Sequence, residues 1–326
     1  DALEDGREEQ GVGQVRVGAG VEGADLHAGR AGLAGSRGGR PRMTPRFGIG
    51  ITSRNRAKVL ANTLDQILAH TPEGFKLVVV NDQSEDETPQ LLAEYQKAHP
   101  DWIVIESDER LGIAKAKNRC LKALQGCEVI FLFDDDCYPV KDGWASLYAG
   151  AIAATGIQHF NFNDSKRQRM IKKTRHAGFT IGEFEPPGGV LMVLTAKVLE
   201  TVGAFNERYG IYGFEHETYT TRCFRAGLHG AFGRNLSLLD AEEYLLALDY
   251  RPEDGPFPDL VIKRGFQSSV TQEEAKQSVR RNARIVAKER KGGPIYLPFE
   301  GQEELPDPEP AWWERWVPRA FSRRSQ

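Results

Sequence analysis

Two periodicities of apolar residues alternate along the middle of the chain. Continuous apolar runs, typical of buried strands in a parallel sheet, occupy residues 47–52, 75–82, 102–107 and 128–133. Apolar residues at helical spacing occupy the segments between them, at residues 58–70, 88–100 and 113–124. This strand–helix alternation predicts a single α/β domain of Rossmann-like form, with a mostly parallel central sheet flanked by helices.

The two ends of the chain lack this pattern. Residues 1–45 are rich in Gly, Ala and Arg and poor in aromatic residues, which predicts a disordered leader. Residues 46–250 are assigned to the main folded domain. Residues 251–326 are predicted to form a helical and irregular C-terminal extension, with a charged helix at 271–291. Its tail contains WWERW at 312–316, which could contact a membrane surface peripherally or pack on the domain.

Composition limits which binding partners and which cellular compartment are expected. A formal net charge of -3 over 326 residues gives no electrostatic reason to expect a nucleic acid partner. No apolar run approaches the roughly 20 residues that a membrane-spanning helix needs. The four cysteines show no C-x-x-C spacing, so reduced thiols in a cytoplasmic protein are expected.

Each predicted strand is followed by polar residues. The four segments are TSRNR (52–56), NDQSEDET (81–88), DERLGIAKAKN (108–118) and DDD (134–136). Open α/β sheets bind ligands at the carboxyl ends of their strands, so four such ends in order predict a nucleotide pocket.

The run of three aspartates needs a positive partner, because adjacent carboxylates repel one another. We expect a hard divalent cation, Mn²⁺ or Mg²⁺, that bridges Asp136 to a diphosphate. Asp82 could accept a hydrogen bond from a base or bind a ribose. Gly112 would let the backbone approach a ligand closely, and Lys115 or Arg110 could meet phosphate.

The order of six segments resembles a family 2 glycosyltransferase of the GT-A fold. They are TSRNR, VVVNDQSEDET, RLGIAKAKN, FLFDDDCYP, GGVLMVLTAKVLETVGAFNE and YGFEHETYTTRCFRAG, which together span about residues 47–239. The resemblance implies that residues 46–250 form a catalytic domain. It also implies transfer of a sugar from a nucleotide diphosphate donor, usually UDP-linked and usually with inversion. The acceptor would be a hydroxyl of a glycan, a lipid-linked glycan or a protein.

The resemblance also implies roles for particular residues. Ser53 and Asp82 fall where the family contacts the nucleoside, and Gly188 and Gly189 fall where backbone passes the donor sugar. Asp134 and Asp136 are the ends of its D-x-D motif and its metal residues, with Asp136 the direct ligand and Asp134 or Asp135 near the ribose. Together with the polar strand ends, this predicts nine donor-binding residues: Thr52, Ser53, Arg54, Asp82, Gly112, Lys115, Asp134, Asp135 and Gly189.

One late motif departs from the family. Where the family commonly has Glu-Asp, with the Asp as general base, this chain has Glu215 and His216. A neutral imidazole can take the proton of the acceptor hydroxyl, since its ordinary pKa of about 6.5 lies near working pH. Glu215 could do so instead, with His216 orienting it or the acceptor. His216 and Glu215 are therefore the catalytic candidates, and the choice between them stays open.

Three other functions compete with this one. The histidine at position 216 would suit a catalytically inactive glycosyltransferase-like module that binds or acts as a scaffold. A strand that ends in D-x-D also occurs in aspartate-dependent phosphohydrolases, but Tyr138 stands where those enzymes have a small or β-branched residue. A nucleotidyltransferase would need a glycine-rich loop after the first strand, and TSRNR has no glycine.

Overall fold

A computed structural model describes residues 46–166, 168–247 and 270–302. By its contacts the chain divides into two units, residues 1–42 and 43–326, and all the described residues belong to the second. The predicted disordered leader and the WWERW tail lie outside the described residues.

The described residues form eleven strands. They are β1 (Phe47–Ser53), β2 (Lys76–Asn81), β3 (Ile103–Glu106), β4 (Val129–Asp134), β5 (Cys137–Pro139), β6 (His159–Asn161), β7 (Met170–His176), β8 (Phe179–Phe184), β9 (Leu191–Thr195), β10 (Leu236–Leu238) and β11 (Leu245–Ala247).

Seven α-helices accompany the strands within the described residues. They are α1 (Ala57–His70), α2 (Thr88–Ala98), α3 (Gly112–Ala123), α4 (Trp144–Thr155), α5 (Ala196–Val202), α6 (Glu215–Arg225) and α7 (Gln272–Gly292). Two 3-10 helices lie at Glu207–Tyr209 and Leu239–Glu243.

The central sheet has six strands in the order β3-β2-β1-β4-β9-β6. The first four are parallel to one another, and β9 and β6 extend the sheet in antiparallel fashion. Thr52 at the end of β1 pairs with Val80 of β2 and with Asp134 of β4. The mostly parallel α/β sheet is therefore as predicted, and its register brings the polar strand ends together at one edge.

Helices cover both faces of this sheet because the strand residues alternate between two cores. Ile49 and Phe131 belong to one core, with residues from α1, α2 and α4. Val78 and Leu132 belong to the other, with residues from α3, α5 and α6. On this second face a Cβ at Gly50 would lie 2.8 Å from the Cβ of Cys120, so glycine is what lets α3 pack closely on β1.

Residues 160–187 lie outside the strands that the sequence pattern predicts. They contain the β7–β8 hairpin, which pairs with β10 in a three-stranded sheet. All but one of the seven residues of β7 are exposed. An exposed strand carries no apolar alternation, so the sequence pattern could not reveal it.

The predicted C-terminal helix is present as α7. Its start is a capping box, in which the Thr271 hydroxyl accepts from the Glu274 backbone N–H and the Glu274 carboxylate accepts from the Thr271 backbone N–H. After it, the backbone N–H of Ala204 donates to the carbonyl of Leu297 at 2.9 Å. Residues 270–302 thus lie against the main domain, and the boundary at residue 250 stays a prediction.

Two further features are the character of the helices and the state of the cysteines. Within the ranges that the structure describes, no helix combines the length and the apolar character needed to cross a membrane. Cys120, Cys127, Cys137 and Cys223 are all free and buried.

The aromatic centre of the first core gives a stability prediction. Phe131 is fully buried, and its ring meets those of Trp144 and Tyr148 edge-on at centroid distances of 4.6 and 5.9 Å. Phe131→Ala should lower the free energy of unfolding by about 3–5 kcal/mol, because it leaves a cavity between these rings. Phe224→Ala, the same change at a side chain that is 42% exposed, is the control and should cost far less. Urea denaturation measures both, and equal losses would contradict this account of the core.

Candidate functional site

A cleft opens at the carboxyl edge of the parallel strands. It lies where open α/β sheets bind their ligands. Its walls come from the ends of β1, β2 and β4, from the start of α3 and from the segment that precedes α6. The lining residues are Thr52, Ser53, Arg54, Arg56, Asp82, Arg110, Gly112, Ile113, Ala116, Asp134, Asp135, Asp136, Ile211, Tyr212 and Val270.

Two of the three adjacent aspartates are paired with an arginine, Arg56, for which the sequence predicts no role. Arg56 Nη1 lies 2.5 Å from Asp135 Oδ1, and its Nη2 lies 2.6 Å from Asp136 Oδ2. Both carboxylates are 2% exposed, and Ser53 Oγ donates to Asp135 Oδ2 at 2.6 Å. Arg56 follows β1 by three residues, so the β1–β4 register places its guanidinium beside the acids.

The third aspartate is paired with a buried lysine. Lys117 Nζ lies 2.9 Å from Asp134 Oδ1 and donates to the carbonyl of Gly189 at 3.2 Å. Lys117 is 2% exposed, whereas Lys115 is exposed on α3 and does not line the cleft. Two residues turn a helix by about 200°, so these lysines point in nearly opposite directions. Lys117 follows Ala114 by three and precedes Leu121 by four residues, and this position on the apolar face of α3 is the signal that could have identified it.

Burial destabilises the charged form of the carboxylates in this acidic cluster. It raises the pKa of Asp135 to about 7, although the nearby Arg56 charge acts in the opposite direction. Burial also raises the pKa of Asp136, again against Arg56. Buried carboxylates are tolerated only when cations or hydrogen bonds compensate for lost hydration, so the cluster depends on positive charge.

The residues present fit a divalent cation that takes part of its ligands from a substrate. Among the described residues, no three His, Cys, Asp or Glu side chains are arranged to hold an ion by themselves. However, Asp136 Oδ1 is buried without a hydrogen-bond partner, and the Asp134 side chain is 34% exposed at the cleft. Mg²⁺ in nucleotide-dependent enzymes is bound by one or two carboxylates together with substrate phosphates. Asp134 and Asp136 could therefore hold the predicted cation.

Asp82 and Gly112 lie in the cleft, but their contacts are within the chain. The carboxylate of Asp82 accepts from the backbone N–H groups of Leu111 at 2.5 Å and Gly112 at 3.1 Å. It thereby fixes the start of α3. Gly112 has φ +75°, and a Cβ there would lie 2.6 Å from the Cα of Ile211. The close backbone approach expected of Gly112 is thus made by residues 210–211, and any contact with a donor stays a prediction.

The remaining predicted donor residues divide into two groups. Thr52, Ser53 and Arg54 line the cleft. The Nη1 atom of Arg54 donates to the carbonyls of Asp82 at 2.6 Å and Gln83 at 2.5 Å, which ties the ends of β1 and β2 together. Gly189 does not line the cleft, and it joins the site through Lys117.

The two catalytic candidates lie at the first turn of α6. Glu215 is buried, and its Oε1 lies 3.4 Å from His216 Nδ1, while its Oε2 is buried without a hydrogen-bond partner. Although burial opposes the change, the hydrogen bond and charge of His216 lower the pKa of Glu215. The His216 side chain is 28% exposed, so it is the more accessible of the two.

Gly189 connects these candidates to the acidic cluster. A Cβ at Gly189 would lie 2.9 Å from the ring of His216, so the imidazole packs directly on the glycine backbone. The carbonyl of the same glycine accepts from Lys117, which also pairs with Asp134. Neither Glu215 nor His216 lines the cleft itself, but one residue, Gly189, separates His216 from the lysine beside the acids.

The fold and this site define an α/β domain with an acidic ligand cleft at the carboxyl edge of its sheet. Residues 49–192 match the family model described as Glycosyl transferase family 2. A glycosyltransferase of Acanthamoeba polyphaga mimivirus, itself uncharacterised, is 28% identical over 179 residues, which cover 53% of this chain and 68% of the viral protein. A putative teichuronic acid biosynthesis glycosyltransferase of Bacillus subtilis is 31% identical over 84 residues, which cover 26% of this chain and 33% of that protein.

S. aureus TarS 1-349, solved in complex with UDP, superposes with a TM-score of 0.49 at 18% identity and covers 62% of this chain and 60% of that one. The family match and the matching relatives identify residues 49–192 as a glycosyltransferase family 2 domain, so the chain contains a glycosyltransferase domain. The resemblance stated from the sequence is therefore confirmed.

The pairing of Arg56 with the acids gives a prediction for stability. Arg56→Ala should lower the free energy of unfolding by about 3–5 kcal/mol, because it leaves two buried carboxylates without their cation. Arg46→Ala removes an arginine from the pair with Glu128, whose side chains are 63% and 69% exposed, and should cost about 1 kcal/mol or less. Urea denaturation in EDTA compares the two variants. Equal small losses would show that Arg56 does not stabilise the acidic cluster.

Proposed function

We propose that this domain transfers a sugar from a nucleotide diphosphate donor, with UDP favoured, to a hydroxyl acceptor, with a divalent cation and with inversion. The observation that carries the proposal is the buried acidic cluster in the cleft, where Asp136 Oδ1 has no protein partner. Family membership supports glycosyl transfer. The preference for UDP follows from the resemblance of the motifs.

In this proposal the donor lies along the cleft at the ends of β1, β2 and β4. Thr52, Ser53 and Arg54 face the nucleoside together with Asp82, whose carboxylate has lone pairs beyond those used by the start of α3. Gly112 and Gly189 are the places where backbone passes the donor. Lys115, on the exposed side of α3, could reach phosphate only by a change in its side-chain position.

Asp134 and Asp136 would hold the cation, Mn²⁺ or Mg²⁺, on the diphosphate side of the cleft. The cation would supply charge neutralisation for the leaving nucleoside diphosphate, so no acid would have to protonate it. Arg56 and Lys117 are already within 3 Å of these carboxylates. They already offset part of the negative charge of the aspartates themselves, so the charge that a diphosphate brings would have to be balanced by the metal cation.

The acceptor side of the reaction is proposed to belong to α6. His216 would take the proton of the acceptor hydroxyl as its oxygen attacks the anomeric carbon, while the bond from that carbon to the diphosphate oxygen breaks. The Glu215 carboxylate beside Nδ1 would stabilise the imidazolium that forms, which leaves Nε2 to receive the proton. One displacement from the face opposite the leaving group inverts the anomeric centre.

We further propose the class of acceptor and the location of the protein. A glycan, a lipid-linked glycan and a protein hydroxyl all remain in the proposal, and the cytoplasmic location rests on the free thiols alone. The phosphohydrolase alternative loses ground because the family match supports a glycosyltransferase.

Cation dependence tests the donor side. UDP binding, measured by titration calorimetry, should weaken by about 100-fold or more when EDTA replaces Mn²⁺, because a diphosphate beside three carboxylates is repelled. Asp136→Asn should weaken UDP binding in Mn²⁺ as well. Asp142→Asn, at a side chain that is 85% exposed outside the cleft, is the matched control and should leave binding unchanged. Full UDP affinity in excess EDTA would overturn the role given to the aspartates.

Substitutions at α6 test the base. His216→Ala should lower kcat by about 10²–10⁴-fold with UDP affinity kept, since only the proton acceptor is lost. His176→Ala, at an exposed histidine on β7, is the control and should have no effect on kcat. Near-full turnover in His216→Ala together with loss in Glu215→Gln would transfer the role of base to the carboxylate.

The pH profile separates the same two assignments. A base acts only when deprotonated, so activity is lost as pH falls through its pKa. Imidazole ordinarily keeps its proton to higher pH than a carboxylate does, so a histidine base predicts that activity is lost at the higher pH. A base at Glu215, whose pKa is lowered from 4.5, would hold activity to more acidic pH.

A further inference from the structure

Residues 209–214 connect the two halves of the candidate site. Ile211 and Tyr212 form part of the cleft wall, and Phe214 immediately precedes the catalytic candidates on α6. Gly210 and Gly213 have φ values of +65° and +105°. Glycine at both positions leaves this segment with wide conformational freedom. Its shape must therefore be held by other parts of the chain.

One side chain on α7 meets this segment at three points. Asn282 is fully buried, and its Nδ2 lies within hydrogen-bonding distance of the carbonyls of Tyr209, Tyr212 and Gly213, at 2.8, 3.0 and 3.3 Å. An amide nitrogen carries two hydrogens, so the three carbonyls share them. The neighbouring Arg281 adds a bond from Nη2 to the carbonyl of Tyr209 at 2.8 Å.

Ion pairs connect α7 to the rest of the domain on both sides of this contact. Near its start, Glu274 Oε1 lies 2.7 Å from Nη1 of Arg110, which lines the cleft beside α3. Near its end, Arg290 pairs with Glu217, one residue after His216. The helix thus runs from the donor wall to the first turn of α6, and Asn282 lies between these two ion pairs.

The contact extends through the segment to the donor side. The backbone N–H of Ile113 donates to the carbonyl of Ile211 at 3.3 Å, and the Gly112 backbone packs against residues 210–211. Any shift of the segment would therefore move the start of α3 or open the cleft wall. Asn282 is 69 to 73 residues away in sequence from the three carbonyls that it contacts, and it lies outside the matched residues 49–192.

We propose that Asn282 is a positioning residue, which holds residues 209–213 in the shape that completes the donor cleft and sets the start of α6. This inference rests on the proposed function for its effect on nucleotide binding. Its effect on residues 209–213 does not depend on that function.

The first test measures UDP binding in Mn²⁺ by calorimetry at a temperature where all variants are folded. Asn282→Ala should weaken UDP binding at least tenfold, because three buried carbonyls lose their donor and the cleft wall loosens. Val286→Ala is the matched control: it truncates a buried side chain on the same helix that has no hydrogen-bond donor, so it should lower stability while UDP affinity stays within twofold. If both variants bind UDP as the unsubstituted protein does, the positioning role is wrong.

The second test measures amide hydrogen exchange without any ligand. Asn282→Ala should raise exchange at residues 209–214 by tenfold or more and leave α1 unchanged, whereas Val286→Ala should not single out this segment. Unchanged exchange there would overturn the proposal. If the unsubstituted protein binds neither UDP nor GDP, the proposed function fails, and the exchange result still decides the role of Asn282. Should Asn282→Ala not fold, Asn282→Ser, which keeps one donor, takes its place with a smaller expected change.

Discussion

The site depends on one constraint: three adjacent carboxylates, two of them buried, must be kept together at the end of a buried strand. Arg56 and Lys117 meet this constraint, and they come from different sides. Arg56 follows β1, which pairs with β4, and Lys117 points from α3 on the face where Gly50 lets the helix approach. The β1–β4 register therefore brings Arg56 to the carboxylates, and the close packing of α3 on Gly50 brings Lys117 to them.

Much of the first half of the fold could be predicted, because parallel strands such as β2 and β4 are buried on both faces and read as continuous apolar runs. The hairpin at β7 could not, since an exposed strand has no such pattern. In the site, the strand ends correctly indicated a shared cleft. The pairing of Arg56 and Lys117 with the aspartates could not be predicted. The sequence does not give the distance between side chains that are far apart along the chain. Lys115 and Lys117 differ only in helix phase, and phase decides which one is buried.

The catalytic candidates on α6 are connected to the acidic cluster through an intermediate residue. Gly189 carries the ring of His216 on one side and the bond from Lys117 on the other, so the acidic cluster and the α6 candidates are connected through a single backbone unit. Helix α7 holds the first turn of α6 through the pair of Arg290 with Glu217. It holds the segment before α6 through Asn282. The family match ends at residue 192, so these outer contacts lie beyond the residues that the family model matches.

The exposed β7 strand has a consequence for behaviour in solution. Within the described strands it pairs with β8 on one side only, so its other side presents backbone groups that could join the same edge of a second molecule. Lys172, Lys173 and Arg175 are exposed on β7 and place positive charge close to this edge, and Glu183 of β8 offsets part of it through its pair with Lys172. Two identical edges would then repel each other, which keeps the hairpin from growing into an intermolecular sheet. The protection is electrostatic, so its range shortens as the Debye length falls in concentrated salt.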